Sequence, residues 1–103
     1  MKFVITYTQR SGGTAAENVA AAEAGQKLLS NWQPNPTGTI LQWVQRCDGN
    51  GGFAVTEGEE AGPMLKDLST WSPWFEFQVY PVVDILEASP ITDEALSIAK
   101  SVL

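Results

Sequence analysis

The sequence predicts one α+β domain, residues 1–103, in strand–helix–strand–strand–helix–strand order with an extra helix at its C-terminus. Three observations predict it. Runs of β-branched and aromatic residues alternate with stretches of helical spacing. Turn-forming residues fall at the junctions between them. At 103 residues the chain fits a single domain able to bury a core without disulfide staples.

Residues 2 to 9, Lys2 to Gln9, are β-branched and aromatic and read as the first strand. Ser11-Gly12-Gly13 breaks it. Thr14-Ala15-Ala16-Glu17 has the spacing of a capping box, and an alanine-rich helix is expected from there to about Asn31. Val19, Leu28, Leu29 and Trp32 lie on or beside its apolar side. Asn35-Pro36-Thr37-Gly38 forces a turn into a second strand, Thr39 to Arg46. Asp48-Gly49-Asn50-Gly51-Gly52 tolerates positive φ and makes a hairpin, from which Phe53 to Glu57 returns as the third strand. Pro63 suits a first helical position, and Met64, Leu65 and Leu68 carry that helix to about Trp71. Phe75 to Tyr80 alternates as a fourth strand that Pro81 is expected to stop. Ser89 to Leu103 reads as the C-terminal helix, capped by Ser89 or Thr92, with Ile91, Ala95, Ile98 and Val102 as its apolar stripe.

Composition excludes several partners. A net charge of −6 with six scattered Lys and Arg gives no basic surface for nucleic acid or an anionic membrane. No segment approaches the roughly 18 apolar residues of a membrane span. The run Phe3-Val4-Ile5 is too short for a signal-peptide core. The single Cys47 cannot form an intrachain disulfide, which fits a reducing compartment, so the cytoplasm is the expected location. The chain has no histidine, which removes the usual general base, the commonest metal ligand and the usual haem ligand together. No metal or cofactor is expected.

Strand residues alternate between faces. One expected face is Phe3, Ile5, Tyr7, Leu41, Trp43, Phe53, Val55, Phe75, Phe77 and Val79, a natural surface for the two helices. The other is Val4, Thr6, Thr8, Gln42, Val44, Arg46, Ala54, Thr56, Glu76, Gln78 and Tyr80. This second face is small or polar rather than charged, whereas wet faces usually carry more Lys and Glu. A half-open sheet of this kind meets a second copy of itself, and two such sheets close into an eight-stranded dimeric α/β barrel with room for side chains or one small ligand. An ordinary monomer with one wet sheet face is the alternative.

Trp43-Val44, Phe53 with Glu57, Trp71, and Phe77 followed by Pro81-Val82 resemble an uncharacterised family of short bacterial proteins, a domain of unknown function within the ferredoxin-like, dimeric α/β-barrel superfamily. The resemblance covers roughly residues 40 to 83, and its landmarks are apolar, so it implies fold more than chemistry. Family members often have an acidic residue after the phenylalanine, where this chain has Gln78. The wider superfamily implies cofactor-independent monooxygenases, muconolactone-isomerase-like enzymes or haem proteins such as chlorite dismutases. The haem branch uses a proximal histidine that this chain lacks.

Trp43, Trp71 and Trp74 with Tyr80 are candidates for the aromatic wall of a small-molecule site, although tryptophans more often serve as core or interface anchors. Glu57 ends strand three. Glu76 lies mid-strand, where a buried carboxylate would act as a base or else pair with Arg46. Thr6, Thr8, Gln42 and Gln78 are candidates for positioning a carbonyl or phenol, or else satisfy one another in a wet interior. Cys47, beside only Arg46, reads as a plain thiol. Asp48, Asn50 and Glu59 match positions of a calcium loop, yet Phe53 occupies its obligatory glycine and excludes it. Ser11-Gly12-Gly13 is a weak anion site and more simply a turn. Three functions follow. The first is a homodimer binding a small, partly apolar or aromatic ligand in the barrel interior, with cofactor-independent catalysis as one form of it. The second is a non-enzymatic structural or protein-interaction module. The third is a stress-linked or regulatory domain recognising another protein through an exposed apolar patch, for which Trp32 and the C-terminal helix are candidates.

Overall fold

The computed structural model describes residues 1–103 apart from Ser11 and Glu59. Ser11, in the expected glycine turn, and Glu59, in the excluded calcium pattern, therefore lie outside the described residues. The elements are β1 (Lys2–Gln9), α1 (Ala15–Asn31), β2 (Thr39–Gln45), β3 (Gly51–Glu57), α2 (Ala61–Trp71), β4 (Phe75–Val82) and α3 (Ile85–Lys100). The strands form one antiparallel sheet in the order β2-β3-β1-β4. The fold is α+β and ferredoxin-like, with an added C-terminal helix. Among the described residues no helix is long and apolar enough to cross a membrane.

Local chemistry explains most of these boundaries. The Glu17 amide donates to Thr14 Oγ1 at 3.2 Å and the Thr14 amide to Glu17 Oε1 at 3.4 Å, so both partners of the capping box satisfy helix-start donors. After Trp32 the chain turns on Asn35, whose Oδ1 accepts from the Thr37 amide and hydroxyl at 3.1 and 2.9 Å. The β2–β3 hairpin closes through Arg46 N–H to Gly51 O at 2.7 Å, with Gly49 at φ +78° where a side chain would be strained.

Several boundaries differ from expectation. α2 begins at Ala61, which puts Pro63 third in the helix rather than first. β4 runs through Pro81 to Val82, because β4 is an edge strand and a missing N–H can face outward there. α3 starts at Ile85 rather than Ser89, with Asp84 at its N-cap and Pro90 inside it. Pro90 suggests a first-turn position, but here it sits in the second turn, where it removes one backbone hydrogen bond. Thr92 is no cap: its hydroxyl donates back to Ala88 and Ser89 carbonyls at 3.2 and 3.0 Å.

The assignment of faces needs a larger correction. Residues opposite each other across antiparallel strands share a face. Ile5 faces Ala54 and Val79, Tyr7 faces Gly52 and Phe77, and Phe3 faces Thr56. On β3 it is therefore Ala54 and Thr56, not Phe53 and Val55, that lie on the side with Ile5 and Tyr7. A bulge at Leu41 puts Ile40 on that side with Trp43. Side-chain size chose Phe53 for the covered face, but the β1–β3 register places Gly52 under Tyr7. A Cβ on Gly52 would collide with the Val44 carbonyl oxygen and the Tyr7 hydroxyl. The open face consequently holds Val4, Thr6, Gln42, Val44, Phe53, Val55, Gln78 and Tyr80, more apolar than expected.

Helices α1 and α2 lie over the Ile5–Tyr7 side, where Trp71 of α2 meets Phe75 of β4 with ring centroids 6.2 Å apart. The core between them is thinly filled. Among the described residues Ile5 and Met64 are its buried apolar side chains and Thr56 its buried polar one, and none is fully enclosed.

Candidate functional site

Small residues on both layers leave a hollow between them. β3 turns Gly52, Ala54 and Thr56 toward the helices, and α1 answers with Ala21, Ala22 and Gly25. Close packing normally brings large and small side chains together so that layers interdigitate. Here small faces small, and a cavity of about 440 Å³ remains, within the range of small-molecule sites.

Aromatic side chains form its walls. Trp32, just past α1, stands edge-on to Trp43 of β2 at 5.8 Å and to Trp71 of α2 at 5.6 Å. Trp71 continues the row to Trp74 at 6.2 Å. Tyr7 extends over Gly52, its hydroxyl donating to the Val44 carbonyl at 2.9 Å and accepting from Trp43 Nε1 at 3.1 Å. Burial pushes the Tyr7 pKa upward, and the bond received from Trp43 partly opposes it.

Gln9, Gln26, Asn35 and Gln45 add polar side chains to the wall. Thr56 is 5% exposed, and among the described residues its Oγ1 has no hydrogen-bond partner; Trp71 Nε1 is likewise buried without one. Leaving a buried donor or acceptor unmade costs about 1–3 kcal/mol each. Both residues line the hollow, although the two atoms themselves are covered by neighbouring protein atoms; a small side-chain shift that turned them to a guest carrying an acceptor for the indole N–H and a partner for the hydroxyl would recover that energy. Asp67 of α2 also lines it, its Oδ2 accepting from the Asn35 amide at 3.1 Å and holding the loop that presents Trp32.

The sheet divides the residues expected to form one site. Trp43 and Trp71 come together on the helix side, joined through Trp32. Thr6, Gln42, Gln78 and Tyr80 lie on the open face, where Thr6 faces Gln78 and the Tyr80 hydroxyl donates to Gln78 Oε1 at 2.6 Å. Tyr80 therefore does not join the tryptophan wall. Glu76 is also on the open face, exposed, and pairs with Arg10 at 3.3 Å; Arg46 pairs instead with Asp48 in its own hairpin. Glu57, exposed at the end of β3, faces Lys2 across β1 and Thr39 across β2, away from the cleft. Cys47 is exposed and free.

Sequence reasoning missed Tyr7 as a polar anchor, Thr56, Asp67 and the central place of Trp32. The signal that could have found the hollow is the alternation Gly52-x-Ala54-x-Thr56, a column of small residues on one strand face, set against Ala21, Ala22 and Gly25 on the helix. Its depth depends on strand register, which single-strand alternation does not supply.

No curated protein matches this chain. A family model described as "Domain of unknown function (DUF3303)" matches residues 1–96. With nearly the whole chain aligned, from β1 through most of α3, this protein belongs to that uncharacterised family.

Proposed function

We propose that this chain is a homodimeric binding protein for a small, partly apolar or aromatic molecule, taken up between the two helices and the sheet. The observation that carries the reading is the indole-walled hollow lined by Thr56 and Trp71, whose Oγ1 and Nε1 are buried without partners among the described residues. Indole faces supply apolar contact area, and the two polar atoms supply orientation. Binding is the activity that this wall chemistry supports; it assigns no reaction, and catalysis would need an acid–base group placed against the guest.

Pairing of two copies is supported by the open face. Val44 is 42% exposed, Phe53 46% and Tyr80 48%, which is much apolar surface for one side of a sheet to leave in water. A two-fold pairing makes that patch its own complement. A second reading, an interaction module, draws on α3, whose Ile85, Leu86, Ile98 and Val102 are all strongly exposed.

A fragment screen followed by thermal unfolding and tryptophan emission tests the binding reading. Small apolar or aromatic molecules with one hydrogen-bond acceptor are expected to raise Tm and shift the emission, and Trp71→Phe, which keeps an aromatic ring and removes the N–H, is expected to weaken their binding about tenfold. A screen in which no such molecule moves either signal contradicts the reading.

A further inference from the structure

The proposed binding reading leaves the charge of the guest open, and the wall of the cleft answers it. We propose that the cleft selects an organic cation, a quaternary or tertiary ammonium group joined to a neutral oxygen acceptor. This inference rests on the binding reading above and deepens it.

The charge balance of the lining points one way. Among the described lining residues Asp67 is the single charged side chain, and no Lys or Arg lines the hollow. An anionic guest would therefore leave water for a site with nothing to compensate its charge and with a carboxylate nearby. The Asp67 carboxylate has no cationic partner among the ion pairs of the described residues, and the one hydrogen bond to its Oδ2 comes from a neutral amide. A guest cation would supply the missing partner.

The aromatic wall favours the same charge. Four indoles, Trp32, Trp43, Trp71 and Trp74, follow one another at 5.6 to 6.2 Å with steeply inclined planes. Inclined neighbours turn their faces in different directions, so a rounded group seated among them meets electron-rich faces on more than one side. Indole is the most favourable ring for this, and a methylated ammonium, with no strong hydrogen bonds to water to lose, is the cation that such cages take. The acceptor requirement comes from Trp71 Nε1, buried and unpartnered, which can only donate, and the hydroxyl of Thr56, 5% exposed, can turn to either role.

The test compares choline with its neutral isostere 3,3-dimethylbutan-1-ol, which differ only in nitrogen against carbon. Benzyltrimethylammonium serves as a larger cation and indole as a flat neutral probe. Binding is read by tryptophan emission and calorimetry on the intact protein. The inference predicts that a cation binds at least tenfold more tightly than the neutral alcohol. Asp67→Asn, which keeps an acceptor for the Asn35 amide, should erase most of that preference, and Trp43→Leu at its half-exposed position should reduce it. Equal binding of choline and the alcohol overturns the cation inference and leaves the cleft as a binding site. Binding of indole with none by either cation does the same. No binding by any of the four overturns both readings together.

Discussion

At the scale of single residues, Tyr7 shows how one side chain organises the cleft. Its hydroxyl ties β1 to β2 across β3, donating to Val44 and accepting from Trp43, and it can do so only because Gly52 leaves the intervening strand bare. Gly52→Ala must push the Val44 backbone or Tyr7 aside, so a loss of about 3 kcal/mol or more is expected in urea unfolding. A loss below about 0.5 kcal/mol would mean that the register here is different. Tyr7→Phe removes two hydrogen bonds and should cost about 1–2 kcal/mol. Its pH signature is specific. The Tyr7 pKa is raised in the fold, so the neutral phenol is the form that the folded state favours. Stability from this group is complete below the free tyrosine value of about 10 and is lost as pH rises through the higher folded value. Wild type should therefore lose stability more steeply than Tyr7→Phe above about pH 10, and parallel curves would contradict this assignment.

At the scale of elements, local signals and long-range ones part company. The Thr14–Glu17 box, the Asn35 turn and the glycine hairpin are complete within a few residues, so α1, β2 and β3 stand where their sequences place them. Thr14→Ala should lower stability by about 1 kcal/mol through loss of the cap. The face of β3 was not legible in the same way. Phe53 and Val55 look like core beside Ala54 and Thr56, and only pairing with β1 decides between the sets. The bulge at Leu41 is likewise a product of pairing, with no glycine to announce it. In α3 the misleading residue is Pro90, which resembles a first-turn proline but interrupts the helix. Because all of α3 but Ala88 is exposed, Pro90→Ala should slow amide exchange over residues 85 to 95 while leaving the main unfolding transition in place. A matching rise in the global transition would mean that α3 is part of the cooperative core.

At the scale of the molecule, shape and packing point outward from one chain. The radius of gyration is 18.0 Å and the longest extent 60 Å, against about 13 Å of gyration for a compact domain of this length. The core holds few buried side chains, and α3 leaves its apolar residues in solvent, anchored at its start by Lys2 Nζ donating to Asp84 Oδ1 at 2.6 Å. The proposed second copy, seated on the open sheet face, would cover Val44, Phe53 and Tyr80 there. Sedimentation at micromolar concentration should give twice the 11.1 kDa chain mass, and Phe53→Asp, at a half-exposed position, should give a folded monomer. Wild type sedimenting as a single chain would remove the dimer while leaving the cleft untouched. The open face behind the proposed dimer could be anticipated from alternation along the strands, since it is apolar or weakly polar in β1 and β4. The cleft could not, because its lining comes from six elements and the loops between them, with no spacing in sequence to mark it.

The central claim is that the space between helices and sheet is a true cavity with polar atoms reserved for a guest. A crystal structure at high resolution measures this directly. The account predicts an open cleft of several hundred cubic ångströms with ordered density, from water or a ligand, bridging Thr56 Oγ1 and Trp71 Nε1. Helices closed onto the sheet, with Leu29 and Trp32 filling the space and both polar atoms bonded to protein, would contradict it.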